Sequence, residues 1–244
     1  MTHFSDGIRV GTAGTGTDTR NPPPQNLTYI KQAGVGTSPI AVFNVVPLTK
    51  QSNNIAAAQI VSGAPATVTL TAGTGITTTT INNTSYYALD CARCLTISGV
   101  TGVTAIAFTI NGLDDFQQAQ TQTITGPSGA ATVTTAKSFR YVQSITVSGN
   151  TTSNVSIGTS DTLGLPHSAD SFSYLLSPNF NGTAITASTG FTAADTTSPA
   201  TAATGDVRGT YALQSAADGT KRFVVAQFLP DTSTVDAVYG VKPA

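Results

Sequence analysis

Apolar and polar residues alternate along much of this chain with a period of two. In Thr67-Val68-Thr69-Leu70-Thr71, Val68 and Leu70 take one parity and threonine the other. Successive side chains of an extended strand point to opposite faces, so this stretch predicts a strand with one face buried. The clearest case is 139–147, where Phe139, Tyr141, Ile145 and Val147 share a parity with Gln143 between them. Ile106, Phe108 and Ile110 do the same over 104–110. Residues 77–81 and 85–89 predict two strands around Asn82-Asn83, a residue type that favours turns. Asn111-Gly112 predicts a hairpin turn, with the chain returning through 117–125. Gly126-Pro127-Ser128-Gly129 and Ser148-Gly149-Asn150 predict two more turns, and Val155 and Ile157 mark another returning strand. Short strands separated by turns about every ten residues are the pattern of a sandwich or barrel. The fold class is therefore all-β, an antiparallel β-sandwich (Ig-like or jelly-roll-like) over residues 66–165.

The flanks differ. Residues 1–26 contain Gly11-Thr12-Ala13-Gly14-Thr15-Gly16 and Pro22-Pro23-Pro24, which predict an extended arm of flexible and polyproline-like backbone. Such an arm becomes ordered by lying along a partner, and Ile8, Val10, Pro22, Pro23 and Pro24 are its candidate contact residues. Residues 27–65 read as a connecting β segment, with a strand marked by Ile40, Val42, Val45 and Val46 and a weak helical signal around the alanines at 56–58. Residues 166–244 form a second β region carried by Phe172, Tyr174, Leu175, Phe180 and Ile185. Residues 187–206 read as a long, poorly buried connection or an elongated strand. Asp218-Gly219, set between 211–214 and 223–229, predicts a C-terminal β-hairpin, and 238–244 predicts one last short strand.

Composition sharpens the picture. Threonine fills 44 positions, charged residues only 9%, and there is no tryptophan. An average soluble domain carries roughly 25% charged residues. Threonine is β-branched and fits a pleated, half-exposed surface, so the polar face here is built from hydroxyls and amides. The recurrence of bulky apolar residues at strand spacing argues against a disordered stalk. The net charge is −1 and no basic run occurs, which offers nothing to nucleic acid or an anionic membrane. No apolar run approaches the roughly 20 residues of a spanning helix. The first residues lack the apolar stretch of a signal peptide, which places synthesis in a cytoplasm. A surface of Thr, Ser, Ala and Gly suits burial against copies of itself better than free solution, because these groups are desolvated more easily than Lys or Glu. The expected state is a homo-oligomer, most simply a cyclic trimer.

Candidate chemistry is thin. Cys91-Ala92-Arg93-Cys94 has the spacing of a redox pair or half a zinc site. No second such pair exists, the following sequence is β-like, and on a strand the two thiols fall on opposite faces. His3 and His167 are the only histidines, with His167 three residues from Asp170, a spacing more typical of a surface hydrogen bond than of a catalytic base. Asp114-Asp115 reads as a solvated hairpin loop, and the spaced oxygens of a calcium loop are missing. The Gly11–Gly16 stretch lacks the Lys and the flanking strand and helix of a phosphate loop. The expectation is a non-enzymatic protein with no cofactor and no metal.

Several phrases carry a family resemblance. Thr123-Ile124-Thr125-Gly126-Pro127, Lys137-Ser138-Phe139-Arg140-Tyr141-Val142, Ser144-Ile145-Thr146-Val147-Ser148-Gly149 and 157–166 resemble small structural proteins of tailed-bacteriophage virions, as do 205–211 and Asp218-Gly219-Thr220-Lys221-Arg222. The resemblance spans residues 65–241. It implies a capsid decoration or cement protein bound between subunits of the major capsid protein, or else a tail, fibre or host-recognition component, made in the host cytoplasm and located in the virion.

Overall fold

The structure, a computed structural model, describes residues 8–9, 28–30, 38–101, 103–197, 205–229 and 234–243. Three strands come first, β1 (Ile8–Arg9), β2 (Thr28–Ile30) and β3 (Ser38–Val45). Three short ones follow, β4 (Ala56–Gln59), β5 (Ala66–Thr67) and β6 (Thr77–Ile81). The centre of the chain is β7 (Thr84–Gly99), β8 (Ala107–Leu113), β9 (Ala119–Thr125), β10 (Thr132–Val147) and β11 (Val155–Gly164). The remainder is β12 (Leu175–Phe180), β13 (Thr183–Ala184), β14 (Phe191–Thr192), β15 (Thr210–Ala212), β16 (Phe223–Phe228) and a short helix, α1 (Val235–Tyr239).

All pairings among these strands are antiparallel and they form two sheets. One has the order β1-β2-β3-β16-β12-β13; the other runs β14-β15-β11-β7-β10-β8-β9, with β4 on β11, β5 on β10 and β6 on β7. The larger sheet is folded on itself. β10 pairs with β7 over 132–142 and with β8 over 141–147, with register shifts between Thr134 and Ser138, Phe139 and Tyr141, and Val142 and Ser144. Extra residues at such shifts bend a strand and increase its twist. The first and second halves of β10 therefore lie in opposite layers, and β7 divides in the same way. Leu95 and Ile97 of β7 with Val155 and Ile157 of β11 meet Phe108, Ile110, Val142, Ile145 and Val147 in one apolar core. Polar side chains tie the layers near the bend, where Gln120 Nε2 donates to the Ser138 carbonyl at 2.5 Å and the Lys137 N–H to Gln122 Oε1 at 2.9 Å. The result is an antiparallel β-sandwich.

The second sheet packs on the back of the first. Leu163 and Tyr211 from the larger sheet meet Leu175, Phe180, Phe223 and Val225 from the smaller one, and the Tyr211 and Phe223 rings stack at 5.3 Å. Leu229 and Val238 close a small third cluster with Ala41.

Four local expectations change. Asn111-Gly112 is not a turn but lies within β8. A Cβ on Gly112 would sit 2.2 Å from the Tyr141 carbonyl oxygen, so this glycine serves the close approach of β10, and the turn falls after it. Asp218-Gly219 does not join a hairpin, because β15 pairs in the larger sheet and β16 in the smaller. Asp218 instead closes a local turn, its Oδ1 accepting from the N–H groups of Thr220 and Lys221, and the chain uses it to cross between layers. The weak helical signal around 56–58 is a strand, β4, held by β11. No strand forms over 238–243; the chain ends its regular structure in α1, capped by the Thr234 hydroxyl accepting from the Ala237 N–H at 3.1 Å. Asn82 and Asn83 do form the expected turn, both with positive φ.

Candidate functional site

Two buried arginines, Arg208 and Arg93, anchor the ion pairs of the sandwich. Arg208 is buried and its Nη1 donates to Asp114 Oδ2 at 2.9 Å, while its Nε donates to the Leu165 carbonyl at 3.2 Å. Its guanidinium lies 5.0 Å from the centre of the Phe116 ring. Asp206 accepts from the Ser138 N–H and hydroxyl and from the Arg208 N–H. Arg93, also buried, donates to the carbonyls of Ser160 and Leu48 and pairs with Asp90 at 3.2 Å and Asp161 at 3.6 Å. Each guanidinium is thus matched by carboxylates and carbonyls, the condition under which a buried charge is tolerated.

Asp114-Asp115 is therefore not the solvated loop its sequence suggests. Asp114 is fully buried. Its Oδ1 accepts from the N–H groups of Phe116 and Gln118, closing the β8–β9 turn, and its Oδ2 takes Arg208. Asp115 pairs with Arg140 at 3.6 Å. Among the described residues no group of three His, Cys or Asp side chains is placed to hold a metal ion.

Cys91 and Cys94 both lie on β7, both are buried, and both are free thiols. Cys91 packs into the second core. Cys94 borders a cleft of about 370 Å³ lined also by Thr134, Thr135, Thr162, Phe191 and Thr210. Burial pushes the Cys91 thiol up to about 12 and raises Cys94 as well, so neither supplies the thiolate that redox or nucleophilic chemistry needs. The cleft is a hydroxyl-lined surface without an acid–base pair.

His167 lies beside Tyr239, the rings tilted by 40° with centres 5.4 Å apart. Burial, and then the charge of Arg208, hold its imidazole below the usual 6.5. In the unfolded chain the ring takes up its proton first. Stability from this group is therefore full above pH ~6.5 and is lost as pH falls through the lower folded value. The urea midpoint is expected to drop between pH 7 and pH 5.5, and His167→Gln to remove part of that slope.

No family model, no curated protein and no solved structure matches this chain. Five charged side chains, Arg93, Asp114, Lys137, Asp206 and Arg208, are buried, and between Lys50 and Asp90 the sequence has no Asp, Glu, Lys or Arg at all. The loops at the far end of the sandwich hold one another through uncharged contacts, Thr151 N–H to the Val61 carbonyl and Thr101 N–H to Ser153 Oγ among them. Hydroxyls and amides line up across the sandwich surface, Thr109 with Thr123 at 3.0 Å, Thr121 with Asn111 at 2.9 Å and Asn111 with Ser144 at 3.3 Å. On the smaller sheet Val42, Ala226 and Leu176 stand opposite one another on three neighbouring strands, with Val42 67% and Leu176 36% exposed.

Of the candidate arm contacts, Ile8 lies in β1, opposite Ile30 of β2. Val10, Pro22, Pro23 and Pro24 lie outside the described residues. The buried ion pairs could not be read from sequence, since Asp114 and Arg208 are 94 residues apart.

Proposed function

We propose that this chain is a structural component of a tailed-phage virion, a head decoration or cement protein that associates with copies of itself and binds between subunits of the major capsid protein, without catalysis and without a cofactor. The observation that carries this reading is the inward placement of charge. A chain already poor in charged residues buries five of them, and leaves outside a surface of Thr, Ser and Asn with exposed Val42 and Leu176. Desolvating such a surface costs little, so it suits contact with other protein. Cementing by this mechanism is mechanical: modest contacts repeated at every copy add up through multivalency. The unreactive thiols and the fully occupied Asp114 support a non-enzymatic role.

One observation favours the second reading, a tail or host-recognition component. Phe116 and Tyr239 form an edge-to-face pair at 4.9 Å, and both rings are partly open to solvent, at 44% and 36%. Open aromatic rings of this kind anchor ligands and partners.

Imaging intact particles at side-chain detail separates the two. The cement reading expects this chain on the outer head at threefold or quasi-threefold positions. Density restricted to the tail or a single vertex selects the second reading, and particles that lack the chain overturn both.

A further inference from the structure

Among the described residues β6 leaves one edge unpaired. It pairs with β7 alone, and among the described residues no backbone group is hydrogen-bonded to its other side. The turn between β6 and β7 is the two residues Asn82 and Asn83, both left-handed with φ of 48° and 62°, as in the tight hairpin turn that matches strand twist. In such a hairpin the closing pair, here Ile81 and Thr84, exchanges hydrogen bonds, and bonded and non-bonded pairs alternate from there. Thr77 and Thr79 therefore direct their N–H and C=O toward β7, whereas Thr78 and Thr80 direct theirs outward.

Open edges are ordinarily guarded by a lysine, a proline or a bulge. β6 has none of these: it reads Thr77-Thr78-Thr79-Thr80-Ile81, every residue β-branched, and its register against β7 is unbroken. The nearest charged residues in sequence are Lys50 and Asp90.

We propose that β6 pairs antiparallel with β6 of a second copy, about a twofold axis through Thr79. The proposal rests on the reading of this chain as an assembly protein and names the surface. In this register Thr78 stands opposite Thr80 of the second copy, and Thr80 opposite its Thr78. Both are bonded pairs, so all four outward N–H and C=O groups on each strand find partners. A shift by one residue sets outward groups against inward ones, and a register centred on Thr78 or Thr80 leaves part of the edge unpaired. Thr79 faces Thr79 across the axis, a favourable cross-strand pair. A second copy is the fitting occupant because the register is self-complementary and the strand carries no charge to repel its own image. The contact is isologous, so it joins two copies, or two of the expected trimers, and the assembly it builds is even-numbered.

The test uses the full chain. Across the axis the two Thr79 Cα atoms stand about 4.5 Å apart, as in a narrow non-bonded pair, within disulfide reach. Thr79→Cys is expected to form a covalent dimer under mild oxidant on the order of tenfold faster than Thr77→Cys, which faces Ile81 instead. Cys91 and Cys94 are buried and do not compete. Thr78→Pro removes an outward donor and leaves the ladder to β7 intact, so sedimentation velocity should show the assembly halve in mass. If the chain assembles while Thr79→Cys fails to crosslink and Thr78→Pro changes nothing, the β6 contact is wrong and the assembly reading stands. An odd-numbered assembly likewise overturns the contact. A chain that sediments as a monomer at every concentration and stays off particles overturns both.

Discussion

Asp114→Ala is expected to destabilise the fold by about 3–5 kcal/mol, the range for removing one partner of a buried ion pair. The loss has two sources. Arg208, 1% exposed, keeps its charge but loses the carboxylate 2.9 Å away, and keeps only neutral partners, the carbonyls of Leu165 and Tyr239 and the Phe116 ring. The β8–β9 turn also loses the acceptor that receives the Phe116 and Gln118 N–H groups. Urea denaturation read by circular dichroism gives the number. Combining Asp114→Ala with Arg208→Met should cost less than the sum of the two single changes, because the stranded charge is gone. If Asp114→Ala costs less than about 1 kcal/mol, water reaches Arg208 and the site is not closed.

Phe139→Ala is expected to cost a similar amount, about 3–5 kcal/mol for truncating a buried aromatic ring. Phe139 is fully buried in the main core and lies next to the register shift at which β10 bends. Its ring edge fills the space beside Gly112, where an added Cβ would lie 2.9 Å from Phe139 Cδ1. Backbone from β8 and β10 walls the site, so collapse around the cavity is restricted, which puts the cost toward the upper end of the range. The denaturation midpoint measures this too, and Phe139→Leu should recover much of the loss. An alanine variant within about 1 kcal/mol of the parent would mean that the bend can repack.

The two changes probe the buried ion pair and the bend, and neither was equally visible from the chain alone. The alternation of Val68 and Leu70 with threonine, and of Phe108 with Ile110, marks buried faces, because a period of two is a property of the extended backbone itself. Asn82-Asn83 announces its turn, because left-handed φ is a local preference that needs no distant partner. Asn111-Gly112 and Asp218-Gly219 carry the same local signal and mislead. The space beside Gly112 is claimed by a strand about thirty residues later in the chain, and the strands flanking Gly219 are drawn into different sheets.

The chain's pattern by itself determined an all-β fold and a surface of hydroxyls with little charge. Only the tertiary structure decided that one sheet folds over to make both layers of the sandwich, that Asp114 belongs to Arg208 rather than to solvent, and which strands, β6 among them, stand at a sheet edge within the described residues. The physical reason is one of range. Periodicity and turn preference act over a few residues, whereas ion pairing, close backbone approach and edge exposure depend on which distant segments the folded chain brings together.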